Sequence, residues 1–392
     1  TPLTQEFIED LIGQGKKDKV FEYFVGSVRS QGEKEEIVLI RGVETFTDIE
    51  SSFAFNKDIA LSLSAQIVFV ASCREKPPKS LKTTLYGALQ AYKHQRADSF
   101  SGIIFTDKQQ LPKAEFENCM NIVGDSLLRI LGVLPGGSID QKWVHDILQS
   151  DLFTHISPAG FRYDLIQKAK RVKKKILLPE GEDPRIIQAA ITCNERGIAI
   201  CSLIGKPEKI GQVAKENGIK LTGLVDMIDP ELVSEGYVSP LVELRKNKGM
   251  TEQRARETLK DPIYLGTMLL QMGVFEGLVA GASTSTAKTI SPAFQIIKTA
   301  PGSQLVSSLF FMCLPDQVLV YSDCAVNVDP SFEELAAIAI ESADSAKRLG
   351  IIPRVAMISY STGKSGKGEG VVKVEKATEL VRQKRPDLVI DG

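Results

Sequence analysis

This sequence of 392 residues contains few histidines and no cysteine pair at the spacing typical of metal or redox sites. Only three histidines occur, His94, His145 and His155, so a histidine-based catalytic pair or metal site is disfavoured in the rest of the chain. Six cysteines are present, but no two form a C-x-x-C pair. In a chain of this length, such usage is typical of reduced thiols in a cytosol-like compartment, and we therefore expect a cytoplasmic location.

The sequence also lacks an excess of either charge. Its 48 lysines and arginines balance 49 aspartates and glutamates, which leaves no basic footprint for nucleic acid or for an acidic membrane surface. No apolar run is long enough to cross a bilayer, and no basic and then apolar signal segment opens the chain. The length favours two or three domains. Because the first residue is Thr1 rather than methionine, we expect that residues are missing before it.

Two nucleotide-binding motifs are absent where they would be expected. Residues 1–150 contain no G-x-x-x-x-G-K-[ST] phosphate loop and no G-x-G-x-x-G after a strand. Without a phosphate loop, residues 1–135 should not bind ATP tightly.

What the first third does contain is an α/β pattern. Four short apolar runs, at 35–44, 65–72, 101–108 and 129–136, predict strands, and residues 80–95 predict a helix between them. Strands separated by helix-length segments predict a parallel sheet with crossover helices, and continuous apolar strands predict burial on both faces.

The rest of the chain repeats this pattern after a short helix and linker over 136–158. Asp183 before Pro184 predicts a helix start, Gly249 predicts a helix end, and Ser331 with Glu334 predicts a capping box. The sequence predicts strands over 175–181, 198–205, 275–283, 305–314, 317–323, 355–358 and 387–390, and helices over 161–175, 182–197, 239–249, 331–350 and 371–386. A tight turn at Pro315–Asp316 should join two of these strands.

Three loops follow predicted strands, at 179–185, 281–292 and 359–370, and the second and third are rich in serine, threonine and glycine. In open α/β sheets, ligands bind beyond the carboxyl ends of the strands. Hydroxyls, glycine amides and a helix N-terminus form an anion site, so phosphate is one interpretation. Simple turns are the other, and the loops alone do not decide between them.

Arg245 and two aspartates are further candidates. The Arg245 guanidinium suits phosphate or carboxylate, but by itself this residue favours a solvated surface charge at a helix end. Asp323 and Asp329 lie near a strand end, but no third ligand stands at a suggestive spacing, so the sequence predicts no metal site.

Residues from about 157 to 392 resemble the phosphate acetyltransferase (phosphotransacetylase) family. The resemblance rests on ILLPEGEDPRIIQAA, RGIA, LVELRKNKGMT, GLVAGA, QIIKTAPGSQLVSSLFFMCLPDQVLVYSDCAVNVDP, IAIESADSAKRLGI, PRVAMISYSTGKSGKG and RPDLVIDG, in family order. It implies an α/β core of two subdomains, similar to isocitrate and isopropylmalate dehydrogenases, over 157–303 and 304–392. Residues 1–135 resemble the N-terminal domain of the long form, a phosphate-loop-like parallel α/β domain similar to dethiobiotin synthetase, and 136–156 is a linker.

The resemblance implies transfer of an acetyl group between coenzyme A and inorganic phosphate. The substrates are then acetyl-CoA, CoA, phosphate and acetyl phosphate, with no cofactor, no catalytic metal, no nucleic acid or membrane partner, and a homo-oligomeric state. Arg245 matches a catalytic arginine of the family. The residues that match the family's substrate-binding loops are Ser283, Ser285, Thr286, Tyr360, Ser361, Thr362, Gly363, Ser365 and Gly366.

Four departures from the family pattern stand out. Ser291 occupies the position of a family arginine. The chain ends at Asp391–Gly392, before the family's catalytic aspartate and its Ser-Arg pair, and it starts after the expected phosphate-loop strand. The regulatory domain of the long form is also missing. The resemblance therefore implies a chain that is truncated at both ends and inactive by itself.

Other functions stay open on these residues. A phosphate butyryltransferase shares the fold, although the TAPGSQLVSS stretch favours the acetyl enzyme. A relative that kept the fold as a ligand-binding or scaffold protein is compatible with Ser291. An isocitrate-type dehydrogenase is disfavoured because no aspartate cluster or nicotinamide motif occurs.

Overall fold

A computed structural model describes most of the chain. The described residues are 5–32, 38–42, 49–72, 100–106, 130–133, 139, 141–149, 156–221, 223–303, 305–361 and 365–392. They divide into two compact units. One comprises Thr1–Tyr163 with Ser308–Gly392, and the other is Asp164–Ser307. The domain boundaries inferred from the sequence remain a prediction.

The N-terminal part of the first unit combines helices with a parallel sheet. Its helices are α1 (Gln5–Gly13), α2 (Lys17–Gly32), α3 (Ile49–Leu63) and α4 (Gln141–Gln149), and its strands are β1 (Ile67–Ser72), β2 (Phe100–Thr106) and β3 (Ile130–Val133). The strand order is β1-β2-β3, and both pairings are parallel, as the sequence predicts. The helices have a buried apolar core around Val20, Val25 and Phe55.

Two predictions for this part need correction. The strand expected over 35–44 is wrong for residues 38–42, which are irregular and place Leu39 almost fully in solvent. Strand β1 is not buried on both faces, since Val70 is 67% exposed. A β-branched run indicates a strand only if other elements cover it. The helix expected over 80–95 lies outside the described residues.

The unit Asp164–Ser307 contains a four-stranded sheet whose strand pairings are all parallel. Helix α5 (Pro158–Val172) leads into it. The strands are β4 (Lys175–Leu178), β5 (Ile200–Ile204), β6 (Asp226–Ile228) and β7 (Gly277–Leu278), in the order β6-β5-β4-β7. The helices are α6 (Pro184–Glu195), α7 (Pro207–Glu216), α8 (Pro230–Val233), α9 (Val238–Arg245), α10 (Glu252–Thr258), α11 (Pro262–Gln271) and α12 (Thr286–Ile296). The strand predicted over 275–283 is much shorter than expected.

Apolar cores cover both faces of this sheet. Successive strand residues point to opposite faces. Accordingly Leu177 packs in one buried cluster with Leu241 and Leu265, whereas its neighbour Leu178 packs in another with Ile187. Burial on both sides explains why β4 is apolar without alternation.

Local signals start and end the helices where the sequence predicts. The Asp183 carboxylate accepts a hydrogen bond from the Arg185 amide at 2.9 Å and caps α6. Gly249 adopts a φ of +69° after α9 and a short 3₁₀ turn, a conformation that favours glycine.

The C-terminal part of the first unit contains two small sheets and two long helices. Its strands are β8 (Leu309–Cys313), β9 (Val318–Ser322), β10 (Arg354–Ala356) and β11 (Val389–Asp391), and its helices are α13 (Phe332–Arg348) and α14 (Glu369–Lys384). Strands β8 and β9 form the predicted antiparallel hairpin, and β10 pairs with β11 in parallel. The predicted capping box of Ser331 and Glu334 is present at α13. Among the helices of the described segments, none combines the length and apolarity that a membrane span requires.

Truncating a leucine on β5 should show how strongly the stability of this sheet depends on its apolar core. Leu203 is completely buried, so Leu203→Ala removes apolar contacts and leaves a cavity, at a cost of about 2–5 kcal/mol in the free energy of unfolding. Leu232→Ala is the matched control because Leu232 is 83% exposed, and it should change stability by less than about 0.5 kcal/mol. Denaturant unfolding measures both, and equal losses would contradict the assigned core.

Candidate functional site

The order of the strands brings two of the three predicted loops together. Strands β4 and β7 are parallel neighbours, with Ile176 opposite Gly277 and Leu177 opposite Leu278. Their carboxyl ends therefore lie at the same edge of the sheet, and the segments 179–183 and 279–285 emerge side by side. The third loop follows β10, which belongs to a different sheet.

Glu180 joins these two segments. Its carboxylate accepts backbone hydrogen bonds from Gly281 at 2.7 Å, Ala282 at 2.8 Å and Ser283 at 2.7 Å. The hydroxyls of Ser283 and Thr284 donate to the same carboxylate at 2.9 and 3.1 Å. The side chain is thus surrounded by five donors from four consecutive residues, and Glu180 is only 8% exposed.

These donors determine the ionisation of Glu180. Burial raises the pKa of a carboxyl group, but here the hydrogen bonds from residues 281–283 outweigh it and lower the pKa to about 2. Glu180 therefore carries a negative charge throughout the physiological range.

Arg185 binds the same loop through a backbone carbonyl of the loop. Its guanidinium donates to the Asp183 carboxylate at 3.0 and 2.7 Å and to the Ala282 carbonyl at 2.7 Å. The pKa of Asp183 is lowered, mainly by the hydrogen bond from the Arg185 side chain. Ala282 is consequently bound through both its N–H and its C=O, which fixes the backbone of the loop.

The hydroxyl-bearing residues of the 281–292 loop differ in what they can offer a ligand. Both donors of Ser283 are engaged with Glu180. Ser285 caps α12 through a long contact of 3.5 Å from the Lys288 amide, and Thr286 is exposed in the first turn of that helix. Ser285 and Thr286 are therefore the predicted residues of this loop with polar groups directed at the helix N-terminus or solvent.

Arg245 lies half-buried at the end of α9. One terminal nitrogen donates to the Gln295 carbonyl at 3.0 Å, in the last turn of α12. The Nε atom is buried, and it has no hydrogen-bond partner among the described residues. Arg245 thus combines a contact to the last turn of α12 with a donor that nothing in the described structure satisfies.

Ser291 contacts the same residue as Arg245. The Gln295 amide donates to the Ser291 hydroxyl at 3.4 Å and to the Tyr264 hydroxyl at 2.8 Å. Sequence reasoning did not single out Gln295 or Tyr264, because neither belongs to a loop motif.

The third loop is internally bonded. The Tyr360 hydroxyl donates to the Lys367 carbonyl at 2.6 Å, and the Gly366 amide donates to the Ser361 hydroxyl at 2.8 Å. Tyr360 is 74% exposed, and Ser365 is exposed as well. Two other predicted residues, Thr362 and Gly363, lie outside the described residues.

A second carboxylate cluster, in the unit that contains Ser308–Gly392, was not anticipated as such. Asp323 accepts hydrogen bonds from the amide and hydroxyl of Ser308 and from the amide and side chain of Asn327. Partial burial raises the pKa of Asp323, but these bonds hold it well below its usual range. Asp329, the other candidate metal ligand, pairs with Lys373. Both aspartates therefore have protein partners.

Residues 160–392 match the phosphate acetyl/butaryl transferase family. The chain belongs to this family. A phosphate acetyltransferase of Escherichia coli (strain K12) is 55% identical over 255 residues, which are 65% of this chain and 36% of that protein. A phosphate acetyltransferase of Deinococcus radiodurans is 57% identical over 237 residues, 60% of this chain and 34% of its own length. The chain therefore spans about a third of the length of these curated relatives.

Solved structures of phosphotransacetylases are similar to more than half of the chain. One from Staphylococcus aureus has a TM-score of 0.55 at 38% identity and covers 60% of this chain and 73% of its own. One from Streptococcus pyogenes has a TM-score of 0.54 at 36% identity, with the same coverage. An α/β fold with parallel sheets is thus confirmed. The part that matches the phosphate acetyl/butaryl transferase family contains all the loops and side chains described above.

Replacing Glu180 by glutamine should destabilise the 281–284 loop in a pH-dependent way. The pKa of Glu180 is lower in the folded chain than its ordinary value of 4.5, so its contribution is complete above pH 4.5 and is lost as the pH falls through about 2. A difference of this size corresponds to about 3 kcal/mol. Glu180→Gln should therefore lower the free energy of unfolding at neutral pH and flatten its decline below pH 4.5, as measured by denaturant unfolding at several pH values.

Glu182→Gln is the matched control for this prediction. Glu182 is a neighbouring carboxylate whose described partner is the exposed Lys209, and such surface pairs contribute about 0–1 kcal/mol. If Glu180→Gln and Glu182→Gln give the same stability and the same pH profile, Glu180 does not hold the loop.

Proposed function

We propose that this chain is part of an enzyme that transfers an acetyl group between coenzyme A and inorganic phosphate. Family membership supports this function, and so does 55% identity to a phosphate acetyltransferase of Escherichia coli. In one direction the CoA sulfur attacks the acetyl carbonyl carbon of acetyl phosphate. A carbon–sulfur bond forms and the bond from carbon to the phosphate oxygen breaks. The departing phosphate keeps the bonding electron pair, and the proton lost by the thiol ends on the released phosphate.

Arg245 is the observation that carries the proposal within this structure. Phosphate leaves with increased negative charge, and a positioned cationic donor stabilises such charge. A buried donor without a partner destabilises the folded chain, and a phosphate oxygen at Nε would satisfy it. We therefore assign Arg245 to the phosphate group of acetyl phosphate or to free phosphate.

The remaining predicted residues are assigned to substrate binding. Ser285 and Thr286 present polar groups at the start of α12, where an anion is favoured by unpaired amides and the helix dipole. For the loop after β10 we propose the same role at Tyr360, Ser361, Thr362, Gly363, Ser365 and Gly366. Ser283 serves mainly to shape the loop, since Glu180 binds both of its donors.

The proposal includes the wider architecture. It places an isocitrate-dehydrogenase-like core of two subdomains at 157–303 and 304–392, and a partial dethiobiotin-synthetase-like domain at 1–135. Coenzyme A acts as a substrate, no cofactor takes part, and the protein is a cytoplasmic homo-oligomer.

The family description names both acetyl and butyryl transfer, so acyl choice is a separate question. The acetyltransferase names of the curated relatives favour acetyl. Calorimetric titration of the chain with CoA, acetyl phosphate and butyryl phosphate tests the function and the choice together. Binding of CoA and tighter binding of acetyl than of butyryl phosphate is expected, whereas failure to bind either acyl phosphate would overturn the proposal.

Substitutions at Arg245 should weaken phosphate binding. Arg245→Ala removes a charge-assisted hydrogen bond of about 1.5–3 kcal/mol, which corresponds to roughly 10- to 100-fold in affinity for acetyl phosphate. Arg245→Lys should recover only part of it, because an ammonium group lacks the planar fork. Ser291→Arg adds a second cation where the family has one and should tighten binding. Titration calorimetry measures all three changes.

Arg256→Ala is the control for these variants. Arg256 is an exposed arginine on the next helix, α10, and it pairs with Glu235 and Glu252. It should leave the affinity unchanged. If Arg245→Ala also stays within about two-fold of the original chain, less than about 0.5 kcal/mol, the phosphate role is wrong.

A further inference from the structure

The hydrogen bonds of Arg245 occupy only one side of its guanidinium. The Nη1 atom donates to the Gln295 carbonyl at 3.0 Å, whereas Nε is buried and has no partner among the described residues. In a guanidinium, Nε and Nη2 form one edge, and the two donors of that edge match two oxygens of a single phosphate or carboxylate. The contact from Nη1 to Gln295 therefore decides the direction in which this edge points.

The carbonyl that Arg245 binds lies in a weakly restrained part of α12. Gln295 is in the last turn of this helix, where the carbonyl groups have no amide partner within the helix. Pro292, inside the helix, has no N–H, so the backbone hydrogen bond from residue 292 to the Lys288 carbonyl is missing. The last turn is therefore joined to the first turns less firmly than in an uninterrupted helix, and contacts with other elements have to fix its position.

Tyr264 of α11 supplies such a contact. The Gln295 side-chain amide donates to the Tyr264 hydroxyl at 2.8 Å, which is much shorter than its 3.4 Å contact with the Ser291 hydroxyl. Tyr264 itself packs against the buried apolar cluster that contains Leu265 and Ile296. Because the ring of Tyr264 is held by this cluster, its hydroxyl is a fixed acceptor for Gln295.

We propose that Tyr264 and Gln295 are positioning residues for the phosphate site, and that the Tyr264 hydroxyl, through Gln295, aims the Nε and Nη2 donors of Arg245 at the phosphate group. This inference rests on the proposed function, because it takes acetyl phosphate or free phosphate as the anion at Arg245. Neither Tyr264 nor Gln295 has to contact the substrate. A guanidinium that is already held in one orientation loses less conformational freedom on binding, which raises its affinity for the anion.

Removing one hydroxyl group tests this role. Tyr264→Phe keeps the ring in the apolar cluster but deletes the acceptor for Gln295, so the Kd for inorganic phosphate should rise roughly 3- to 10-fold, as for the loss of one neutral hydrogen bond. Tyr237→Phe is the matched control, because Tyr237 packs against the same cluster and its hydroxyl has no hydrogen-bond partner in the described part of the chain. It should leave the Kd unchanged. Titration calorimetry of the 392-residue chain with inorganic phosphate measures both variants.

A double-mutant cycle separates positioning from general structural damage. In an Arg245→Ala background, Tyr264→Phe should leave the phosphate affinity unchanged, because the hydroxyl acts only through the guanidinium. A purely structural role would instead lower the affinity by the same factor in both backgrounds. Gln295→Met should show the same dependence on Arg245, because it removes the amide that contacts Tyr264 while the backbone carbonyl at position 295 remains.

The same titrations distinguish this inference from the function on which it rests. If the original chain does not bind phosphate, or if Arg245→Ala binds it within about two-fold, the proposed function fails and the positioning role fails with it. If Arg245→Ala weakens binding, but Tyr264→Phe changes the Kd by less than about three-fold or acts equally in both backgrounds, only the positioning role is wrong. Denaturant unfolding shows which variants are folded. Should Tyr264→Phe fail to fold, Gln295→Met, at a partly exposed position, decides by the same criteria.

Discussion

The carboxylate of Glu180 connects the ends of two neighbouring parallel strands, and the loop after β7 depends on this connection. The ionised carboxylate is buried, and a buried charge is unfavourable unless it is paired or well hydrogen-bonded. The amides of Gly281, Ala282 and Ser283 meet this need only because β4 lies next to β7. Because the three amides donate to the same carboxylate, the backbone turns here toward the start of α12. The shape of the loop and the point at which α12 starts thus depend on one electrostatic requirement, which the order of the strands allows to be met.

The polar groups around this loop fall into those that build it and those that remain available. The donors of Ser283 hold the loop together through Glu180. Arg245 shows both behaviours, since one nitrogen binds the last turn of α12 through the Gln295 carbonyl while Nε remains without a described partner. Gln295 also contacts Ser291 and Tyr264, so the end of α12 brings Arg245 and Ser291 to the same residue.

In the other unit, a carboxylate likewise accepts several hydrogen bonds beyond the end of a strand. Asp323, just after β9, accepts amide and hydroxyl hydrogen bonds from Ser308 and Asn327, and its pKa is lowered for the same reason as that of Glu180. The loop after β10 is organised differently, through Tyr360, Ser361 and the carbonyl or amide groups near residue 367. The loops after β7 and β9 are therefore held by a buried or half-buried carboxylate, and the loop after β10 by neutral hydrogen bonds within itself.

The sequence by itself determined the elements whose causes are local. The cap at Asp183, the capping box at Ser331 and the hairpin turn at Pro315–Asp316 all depend on residues within a few positions of each other, and the structure confirms each. The family motifs likewise depend only on residue order. Only the tertiary structure decided the role of Glu180, because its partners lie about a hundred residues away and meet it through strand order. The irregular backbone at 38–42 was likewise decided by tertiary structure. An apolar β-branched run becomes a strand only when neighbouring chain segments pair with it and cover it.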